Sequence, residues 1–450
     1  MLHDFLALLP LLIVIVIALA AKKMAEALLA GTLVSMVLLH RWDFLGGTVD
    51  AFYEVLSNGS FQFVILTVIG LGALIQLLQR SGALMGFKTV ILRFAHSPRS
   101  SLLAAWLLSL ILFVDEYLNS LASTFVLRDI TDSHGVPREH LAFQAHGMAC
   151  SLCIIVPFTG WTAFTISLVR EYGMGFDEYV HSIRFMLFPL LVILFCLLLA
   201  LGALPKVGAL KDAYARVERG GPVLLEEPGG LGSLVDLEAL DAEKTAPAFY
   251  AIVPLAALVI GFFLLDRDLV QAQILALAVQ FVLYTAGGLM TVGEFFQGFF
   301  DGAKSMTTIT IVIGLGFMLS KANEELGFFE LFVRVMGGSL PAQAMPVIAF
   351  ILVGLCVFCM GSCWVVMLIT VPMFMELAMV SGVSAELMMG AVMSGVGMGF
   401  SLCFYADTVF MTTAGTGVSN LQIIKTTLPY AAVMIVLSAA GYIALGAATV

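Results

Sequence analysis

Residues 111–123 read ILFVDEYLNSLAS, and they place two adjacent carboxyls, Asp115 and Glu116, inside the apolar region 101–127. A helix that begins at Ser101 would reach Asp115 after a rise of about 21 Å, deep inside a bilayer. A charged carboxylate costs at least about 2.5–3.5 kcal/mol at that depth. No Lys or Arg lies within ten residues of the pair. The stretch therefore predicts a site that holds a cation or a proton.

The composition of the chain identifies an integral membrane protein. Of its 450 residues, 61% are hydrophobic and 12% are charged, and the mean hydropathy is +1.05. Soluble domains carry about 25% charged residues. Many apolar stretches approach the roughly 20 residues that a spanning helix needs, and they do not alternate with polar residues as barrel strands do. The sequence thus predicts an all-α polytopic bundle.

Ten apolar stretches predict spanning helices, with the first read as a span and not as a signal peptide. They are 3–21, 24–40, 60–80, 141–168, 181–204, 247–265, 269–290, 305–322, 386–412 and 427–448. Two further regions, 101–127 and 342–380, are interrupted at DEYLNS and at CMGSCW. We expect re-entrant hairpins there, because irregular backbone at membrane depth is tolerated only inside protein or along a wet cavity. The alternative for each region is one kinked spanning helix.

A polar insert at 205–246 divides the chain into near-equal halves. Its Pro, Gly and charged residues predict a surface linker that is partly disordered. We expect an N-terminal transmembrane repeat at 1–204 and a C-terminal one at 247–450. With the N-terminus outside, 15 of the 21 Lys and Arg residues fall on the cytoplasmic side, as the positive-inside rule requires. This predicts a multi-pass plasma-membrane protein with both termini outside and a cytoplasmic linker.

The two halves resemble each other in sequence. GLGALIQLLQRSGAL at 70–84 is echoed by GLGFMLSKANEELGF at 314–328, and residues 134–164 align with 381–411 at nearly the same offset. Five spans and one hairpin per half would make the two repeats enter the membrane from opposite sides. Inverted repeats with broken helices at the centre are typical of secondary transporters.

Motifs of other protein classes are missing from the sequence. No Gly-x-x-x-x-Gly-Lys, His-Glu-x-x-His or Gly-x-Ser-x-Gly motif occurs, so we expect neither an enzyme nor an ATP-driven pump. No basic tract favours nucleic acid. A channel or a receptor is a weaker alternative, because it would need a continuous wet pathway or a signalling domain. The seven cysteines lie in apolar helical runs, where packing is the expected role.

A second predicted part of the site lies at the helix breaks. Pro157 and Gly160 interrupt one span, and Asp407, which aligns with Gly160, lies with Thr408 in an equivalent apolar segment. Hard cations favour oxygen ligands, so we expect Na⁺ at Asp115, Asn119 and Asp407. The predicted ion- or proton-binding residues are Asp115, Glu116, Asn119, Asp407 and Thr408. His146 is either a proton relay or a hydrogen-bonded core histidine.

The stretch FVDEYLNSLASTFVLRDITD and its continuation to residue 164 resemble the NhaC-type sodium/proton antiporter family. Matching positions include Asp115, Tyr117, Asn119, Arg128, Thr131, Asp132, Leu141, Ala142, Cys153, Pro157, Thr159 and Trp161. In the second half, Gly361, Ser362 and Trp364 are similar to the family's G-T-S-W turn. TTLPYA at 426–431 is similar to its T-Q-L-P-Y-A segment. The resemblance implies Na⁺-linked secondary transport and a fold of inverted repeats with hairpins.

The transported species stays open between two variants. One variant exchanges Na⁺ for H⁺, as the family name implies. The other moves a small organic solute, such as a carboxylate or an amino acid, because GFSLCFYAD at 399–407 is more apolar than the polar run of the family. The predicted substrate-binding residues are Tyr117, Ser123, Pro157, Thr159, Gly160, Trp161, Ser362, Trp364 and Tyr405. We expect Na⁺ as coupling ion, no other cofactor, lipid contact and, by resemblance, a possible homodimer.

Overall fold

Helices make up all the regular secondary structure in the part of the chain that the computed structural model describes. The described residues are 2–21, 24–225, 245–328, 331, 341–360, 363–404 and 406–449. In chain order they form α1 (Leu2–Ala21), α2 (Met24–His40), α3 (Phe44–Ser57), α4 (Gly59–Arg80), α5 (Ala83–Ile91), α6 (Pro98–Ile111), α7 (Glu116–Ser133), α8 (Arg138–Ile155), α9 (Gly160–Val169), α10 (Phe176–Ser182), α11 (Leu187–Leu201), α12 (Gly208–Glu218), α13 (Phe249–Leu264), α14 (Leu269–Ala286), α15 (Val292–Ser305), α16 (Thr307–Glu325), α17 (Met345–Met360), α18 (Cys363–Ser381), α19 (Ala385–Leu402), α20 (Asp407–Thr416) and α21 (Asn420–Thr449).

The observed helices follow the predicted spans. Within the described ranges, eight helices are long and apolar enough to cross a membrane, and the number reaches ten if each of two bent helix pairs counts as one span. One bent pair joins α8 to α9 at an angle of 42°. The predicted span at 386–412 is likewise divided between α19 and α20. The protein is therefore an all-helical, multi-span membrane protein with broken helices.

The first interrupted region folds back on itself as a helical hairpin of α6 and α7. The Asn119 side-chain amide donates to the Ser109 carbonyl oxygen at 2.8 Å, although ten residues separate them. In one continuous helix this separation would be about 15 Å. Leu102, near the start of α6, packs with Val136, which follows α7. The kinked-helix alternative is therefore wrong for this region.

The second interrupted region also reverses direction. The Phe350 carbonyl oxygen lies against Gly395, and the Gly354 carbonyl oxygen lies against Gly399, so α17 and α19 run in the same direction. Since α18 joins them, it must return antiparallel to both. The 16 residues of α17 rise about 24 Å, less than the roughly 30 Å hydrocarbon core. A hairpin, and not one kinked helix, fits these contacts.

Repeat-equivalent helices pack antiparallel to each other. In α4 and α16, Phe61 meets Phe317 with ring centroids 5.6 Å apart, while Gly72, further along α4, lies against Met306, before the start of α16. In α8 and α19, the same reversal pairs His146 with Ser401 and Ile154 with Gly397. This packing is what an inverted repeat requires. The inverted repeat and the boundaries of the two halves stay predictions.

Several helices were not predicted from the sequence, because their apolar residues occupy only one face. In α3 and α15 part of that face is exposed, with Phe52 and Phe300 as examples. The linker also differs from the expected loose segment over its first part. There α12 docks on the bundle, and the Tyr214 hydroxyl lies 2.7 Å from His140 Nδ1. Residues 226–244 lie outside the described residues.

Candidate functional site

The break between α6 and α7 places Asp115 at the beginning of α7. Its backbone is extended (φ −150°, ψ 140°), and its side-chain oxygen accepts a hydrogen bond from the Leu118 amide at 2.8 Å. Asp115 is thus the N-cap of α7 and satisfies one of the amides that every helix start leaves unpaired. The capping role and an ion-binding role use different lone pairs, so they are compatible.

Glu116 follows as the first residue of α7 and is buried, with 1% of its surface exposed. Its Oε2 accepts a hydrogen bond of 2.9 Å from the indole N–H of Trp161. Trp161 is the second residue of α9, so this bond connects the hairpin tip to the broken helix of the same half. Cys153, at the end of α8, also lies against Glu116. The carboxyl is held from two neighbouring elements.

The other helix starts lie at the same level. Thr159 is extended and caps α9, since its Oγ1 accepts from the Thr162 amide at 3.3 Å. Trp161 packs on Trp364, the second residue of α18, with ring centroids 5.6 Å apart. Asp407 begins α20, and Ala406 before it is extended. The side chain of Asp407 lies outside the part of the structure that is described, as do Ser362 and Tyr405.

Helices α7 and α20 run side by side in the same direction. Gly415, eight residues after the start of α20, lies against Thr124, eight residues after Glu116. At their far ends the Arg138 guanidinium donates to Asp132 at 2.7 Å and to the Thr416 carbonyl oxygen at 3.0 Å. The starts of α7 and α20 are therefore level, as those of α9 and α18 are. The N-termini of α7, α9, α18 and α20 therefore lie close together.

A cavity of about 30 Å³, here called the tip cavity, lies where these helices begin. Its lining residues are Val68, Leu71, Gly72, Ile75, Val114, Asp115, Glu116, Tyr117, Gly160, Trp161, Met306 and Trp364. Helix N-termini carry partial positive charge, and at α7 the carboxyls of Asp115 and Glu116 set negative charge against it. Asp115, Glu116 and Tyr117 are the lining residues whose side chains carry oxygen atoms.

Some of the predicted site residues line the tip cavity, and others lie near it without lining it. Asn119 and Ser123 turn into the first hairpin, where the Ser123 hydroxyl donates to the Asn119 carbonyl oxygen at 2.5 Å. Pro157 and Thr159 lie in the α8–α9 break without lining the tip cavity, and Thr408 is buried near the start of α20. The roles of these residues, and of the lining ones, stay predictions.

His146 lies one helix away from the tip cavity, in the contact between α8 and α19. Its Nε2 is 3.1 Å from the Ser401 carbonyl oxygen and is the donor, since a carbonyl only accepts. Its Nδ1 has no hydrogen-bond partner among the described residues. This geometry fits a buried core histidine that joins the two halves. Its role as a proton relay stays a prediction.

Sequence reasoning missed the part of the tip cavity that α4 and Met306 supply. Val68, Gly72 and Met306 carry no charge or hydrogen-bonding side chain, so they gave no chemical signal. The only available signal was the GLG motif that recurs in both halves. A Cβ on Gly72 would lie 2.8 Å from the Gly302 carbonyl oxygen, so this glycine permits α4 and α15 to approach closely.

A larger cavity of about 380 Å³, here called the end cavity, lies further along α9 and α18. Leu168 and Leu368 belong to its wall, and carboxyl side chains from both halves surround it. Its charged lining residues are Glu54, Glu171, Lys321, Glu324 and Glu376. Glu54 and Lys321 form an ion pair across the cavity wall. The Trp161–Trp364 contact lies at the α9 and α18 starts, nearer the tip cavity.

Helical hairpins, broken helices and converging helix starts around the adjacent carboxyls of Asp115 and Glu116 are typical of a secondary transporter. Residues 152–447 match the family model of the Na⁺/H⁺ antiporter family. The chain belongs to this family, and the NhaC-type resemblance is confirmed.

Relatives with known structures share the fold. The YdaH transporter of Alcanivorax borkumensis superimposes with a TM-score of 0.62 at 13% identity, covering 89% of this chain and 88% of that one. MtrF of Neisseria gonorrhoeae, described within a class of antimetabolite efflux pumps, gives 0.59 at 12% identity, covering 90% and 83%. An uncharacterized protein of Haemophilus influenzae is 24% identical over 471 residues, covering 97% of this chain and 90% of the relative.

Proposed function

We propose that the protein is a Na⁺/H⁺ antiporter, in which Na⁺ and a proton compete for the carboxyls of Asp115 and Glu116. The observation that carries this proposal is the size of the tip cavity. At about 30 Å³ it exceeds the roughly 10–15 Å³ that one water needs. It is far smaller than the roughly 300–1,000 Å³ of sites for organic ligands. The tip cavity can therefore hold either a Na⁺ ion or one water molecule next to a protonated carboxyl.

The chemistry of the site suits such a competition. Two adjacent carboxyls at membrane depth need a neutralising charge, and a bound Na⁺ or a proton supplies it. Tyr117 also lines the cavity, and its side chain carries a hydroxyl. We include Asn119, Asp407 and Thr408 as further oxygen ligands of the ion-bound state, because α7 and α20 begin beside each other. Occupation by one cation would then exclude the other.

The antiparallel packing of α4 with α16 and of α8 with α19 supports a mechanism of alternating access. We propose that the end cavity leads towards the tip cavity from one side of the membrane, along α9 and α18. Movement of one repeat-built bundle against the other would open the α7–α20 side in turn. The proposal includes the plasma membrane as location, a homodimer as assembly and Na⁺ as the coupling ion that is exchanged for protons.

A second candidate function is Na⁺-coupled transport of a small organic solute. The observation in its favour is the end cavity, whose volume of about 380 Å³ lies within the range of organic ligand sites. The aromatic rings of Trp161, Trp364 and Phe400 beside the tip cavity would also suit such a solute. MtrF, which shares the fold, is described within a class of antimetabolite efflux pumps, and this makes the candidate worth a direct test.

Flux through proteoliposomes distinguishes the two candidates. Na⁺ gradients are imposed in both directions on purified protein, and lumenal pH is followed with a trapped dye. The proposal expects a proton flux that reverses with the Na⁺ gradient and falls to background in Asp115→Asn and Asp407→Asn. Asp129→Asn, an exposed carboxyl on α7, is the matched control and keeps wild-type flux.

Other results of the flux experiment would contradict the antiporter proposal. A wild-type protein without Na⁺-driven proton flux would contradict the antiporter proposal. If Na⁺ nevertheless stabilises that protein against heat, and the stabilisation is lost in Asp115→Asn, the second candidate is favoured. A screen of organic acids and amino acids for Na⁺-dependent uptake would follow.

A further inference from the structure

We propose that the connection between α5 and α6 binds the headgroup of an anionic phospholipid. This connection, here called the basic turn, comprises residues 92–99, which read LRFAHSPR and include the first two residues of α6. Two arginines and a histidine are interspersed there with the apolar side chains of Leu92 and Phe94. The proposal concerns a partner of the protein and is independent of the species that passes through the tip cavity.

The basic turn lies at one end of the bundle, level with the ends of two longer helices. The Arg99 guanidinium lies beside Gly202, which directly follows α11, since a Cβ on that glycine would be 3.4 Å from Arg99 Nε. Leu102, three residues further along α6, packs with Val136, which follows α7. The basic turn therefore occupies the level at which the boundary between lipid and water is expected. The positive-inside rule predicts that this end is cytoplasmic.

Both kinds of side chain in the basic turn are accessible. Phe94 is 71% exposed and Leu92 is 52% exposed. Arg93, His96 and Arg99 are exposed as well, and none of the three forms an ion pair within the part of the chain that the structure describes. Cations without acidic partners, next to exposed apolar groups, fit a phospholipid. The apolar groups reach the acyl chains, and the cations reach the phosphate at the interface.

The neighbouring helices add further positive charge. Lys88 of α5 and Arg128 of α7 share one carboxylate, Asp129, at 2.6 and 3.4 Å. Counted with Arg93 and Arg99, four cations are offset by this single carboxylate, which leaves a net charge of +3. Guanidinium groups also match the oxygens of a phosphate in pairs. An anionic headgroup complements this charge, and a zwitterionic headgroup does not.

A soluble anion such as inorganic phosphate has the same charge but fits the basic turn less well. It would neutralise the arginines and leave Leu92 and Phe94 without an apolar partner. A phospholipid satisfies both features at once. The surface is therefore assigned to a lipid, and binding of a free anion is one outcome of the test.

The first arm of the test measures which lipid lies beside the basic turn. Phe94→Trp introduces a fluorescent reporter there, in a Trp42→Phe, Trp106→Phe background. The full chain is reconstituted in mixed bilayers of phosphatidylglycerol and phosphatidylcholine, and the acyl chains of one lipid at a time are brominated to quench nearby indoles. We expect stronger quenching by brominated phosphatidylglycerol than by brominated phosphatidylcholine at equal mole fractions. Equal quenching by the two lipids would overturn the proposal.

The second arm removes the cations from the reporter protein. Arg93→Gln should lower the preference for phosphatidylglycerol about fivefold, the factor that corresponds to one basic residue near an anionic surface. Arg99→Gln should lower it in the same direction. Arg219→Gln is the matched control, because it removes the same charge from the exposed end of α12 and leaves the preference unchanged. A preference that persists in both Arg93→Gln and Arg99→Gln would contradict a headgroup site.

The third arm separates a lipid from a free anion. Lipid-depleted protein in neutral detergent is heated with phosphatidylglycerol, with inorganic phosphate, or with chloride at equal ionic strength. We expect a rise of the thermal midpoint with phosphatidylglycerol that Arg93→Gln reduces, and no effect of phosphate that depends on Arg93. A rise with phosphate alone that Arg93→Gln abolishes would assign the basic turn to a soluble anion and overturn the lipid site. None of these measurements uses transport, so their outcome does not depend on the antiporter proposal.

Discussion

The helix pairs α7–α20 and α9–α18 begin at the same place but pack differently. Along α7 and α20 the contact is so close that a Cβ on Gly415 would meet the Thr124 hydroxyl oxygen. Along α9 and α18, beyond Trp161 and Trp364, residues of both helices, among them Leu168 and Leu368, line the end cavity of about 380 Å³. The two pairs, which the predicted repeat makes equivalent, thus differ: the α7–α20 side of the proposed ion site is closed and the α9–α18 side is open.

The closed side is held by an ion pair to a buried carboxylate, and among the described residues the open side has only the exposed pair of Glu54 and Lys321. The segment 205–225, here called the strap, lies across the ends of α7, α8 and α20. Arg216 forms a two-pronged ion pair with the buried Glu139, at 2.8 and 2.9 Å, and the Arg138 amide donates to the Val223 carbonyl oxygen. If the α7–α20 side opens as proposed, these contacts of the strap must break or move with it.

Loss of the strap ion pair should have the largest effect on stability. Arg216→Ala leaves the carboxylate of Glu139 buried without its partner, since Glu139 is 1% exposed. Breaking a buried pair in this way costs about 3 kcal/mol. We expect a clear fall in the thermal unfolding midpoint of the purified protein. Arg219→Ala removes the same charge from the exposed end of α12 and leaves the midpoint unchanged. Equal thermal midpoints for both variants would show that the Arg216–Glu139 ion pair does not stabilise the protein.

A substitution that disturbs the packing between α7 and α20 should have the next largest effect on stability. Gly415→Ala would place its Cβ against Thr124, whose hydroxyl already donates to the Ser120 carbonyl oxygen at 2.7 Å. Overpacking of this kind costs about 1–3 kcal/mol. The thermal midpoint should fall, and Thr124→Ala should restore part of it in the double variant. Gly59→Ala is the control, because no atom lies within 4 Å of its added Cβ. A Gly415→Ala protein as stable as wild type would mean that the contact is not tight.

The spans could be predicted from hydropathy because lipid contact demands long apolar helices. The buried carboxyls of 111–123 and the breaks near Gly160 and Asp407 were visible for the converse reason, as polar or helix-breaking residues where apolar ones belong. The amphipathic helices α3 and α15 and the docked strap could not be predicted. Their apolar residues are diluted by polar ones, and the Arg216–Glu139 pair joins residues that are 77 positions apart.

The ion pair of Glu54 and Lys321 at the open side should contribute least to stability. Glu54 and Lys321 are 57% and 36% exposed, and exposed pairs contribute about 0–1 kcal/mol. Lys321→Ala should therefore change the thermal midpoint little, with or without added choline chloride as a screening salt. A fall as large as that of Arg216→Ala would show that both sides are fastened alike. The contrast between the two sides would then be lost.

The most direct test of the ion site is proton release on addition of Na⁺. Purified protein in weakly buffered detergent solution is titrated with NaCl, with choline chloride as control, and the pH is recorded. Competition at Asp115 and Glu116 predicts acidification with NaCl only, lost in Glu116→Gln and kept in Asp129→Asn. A wild-type protein that binds Na⁺ without releasing protons, or releases them equally in Glu116→Gln, would contradict the account.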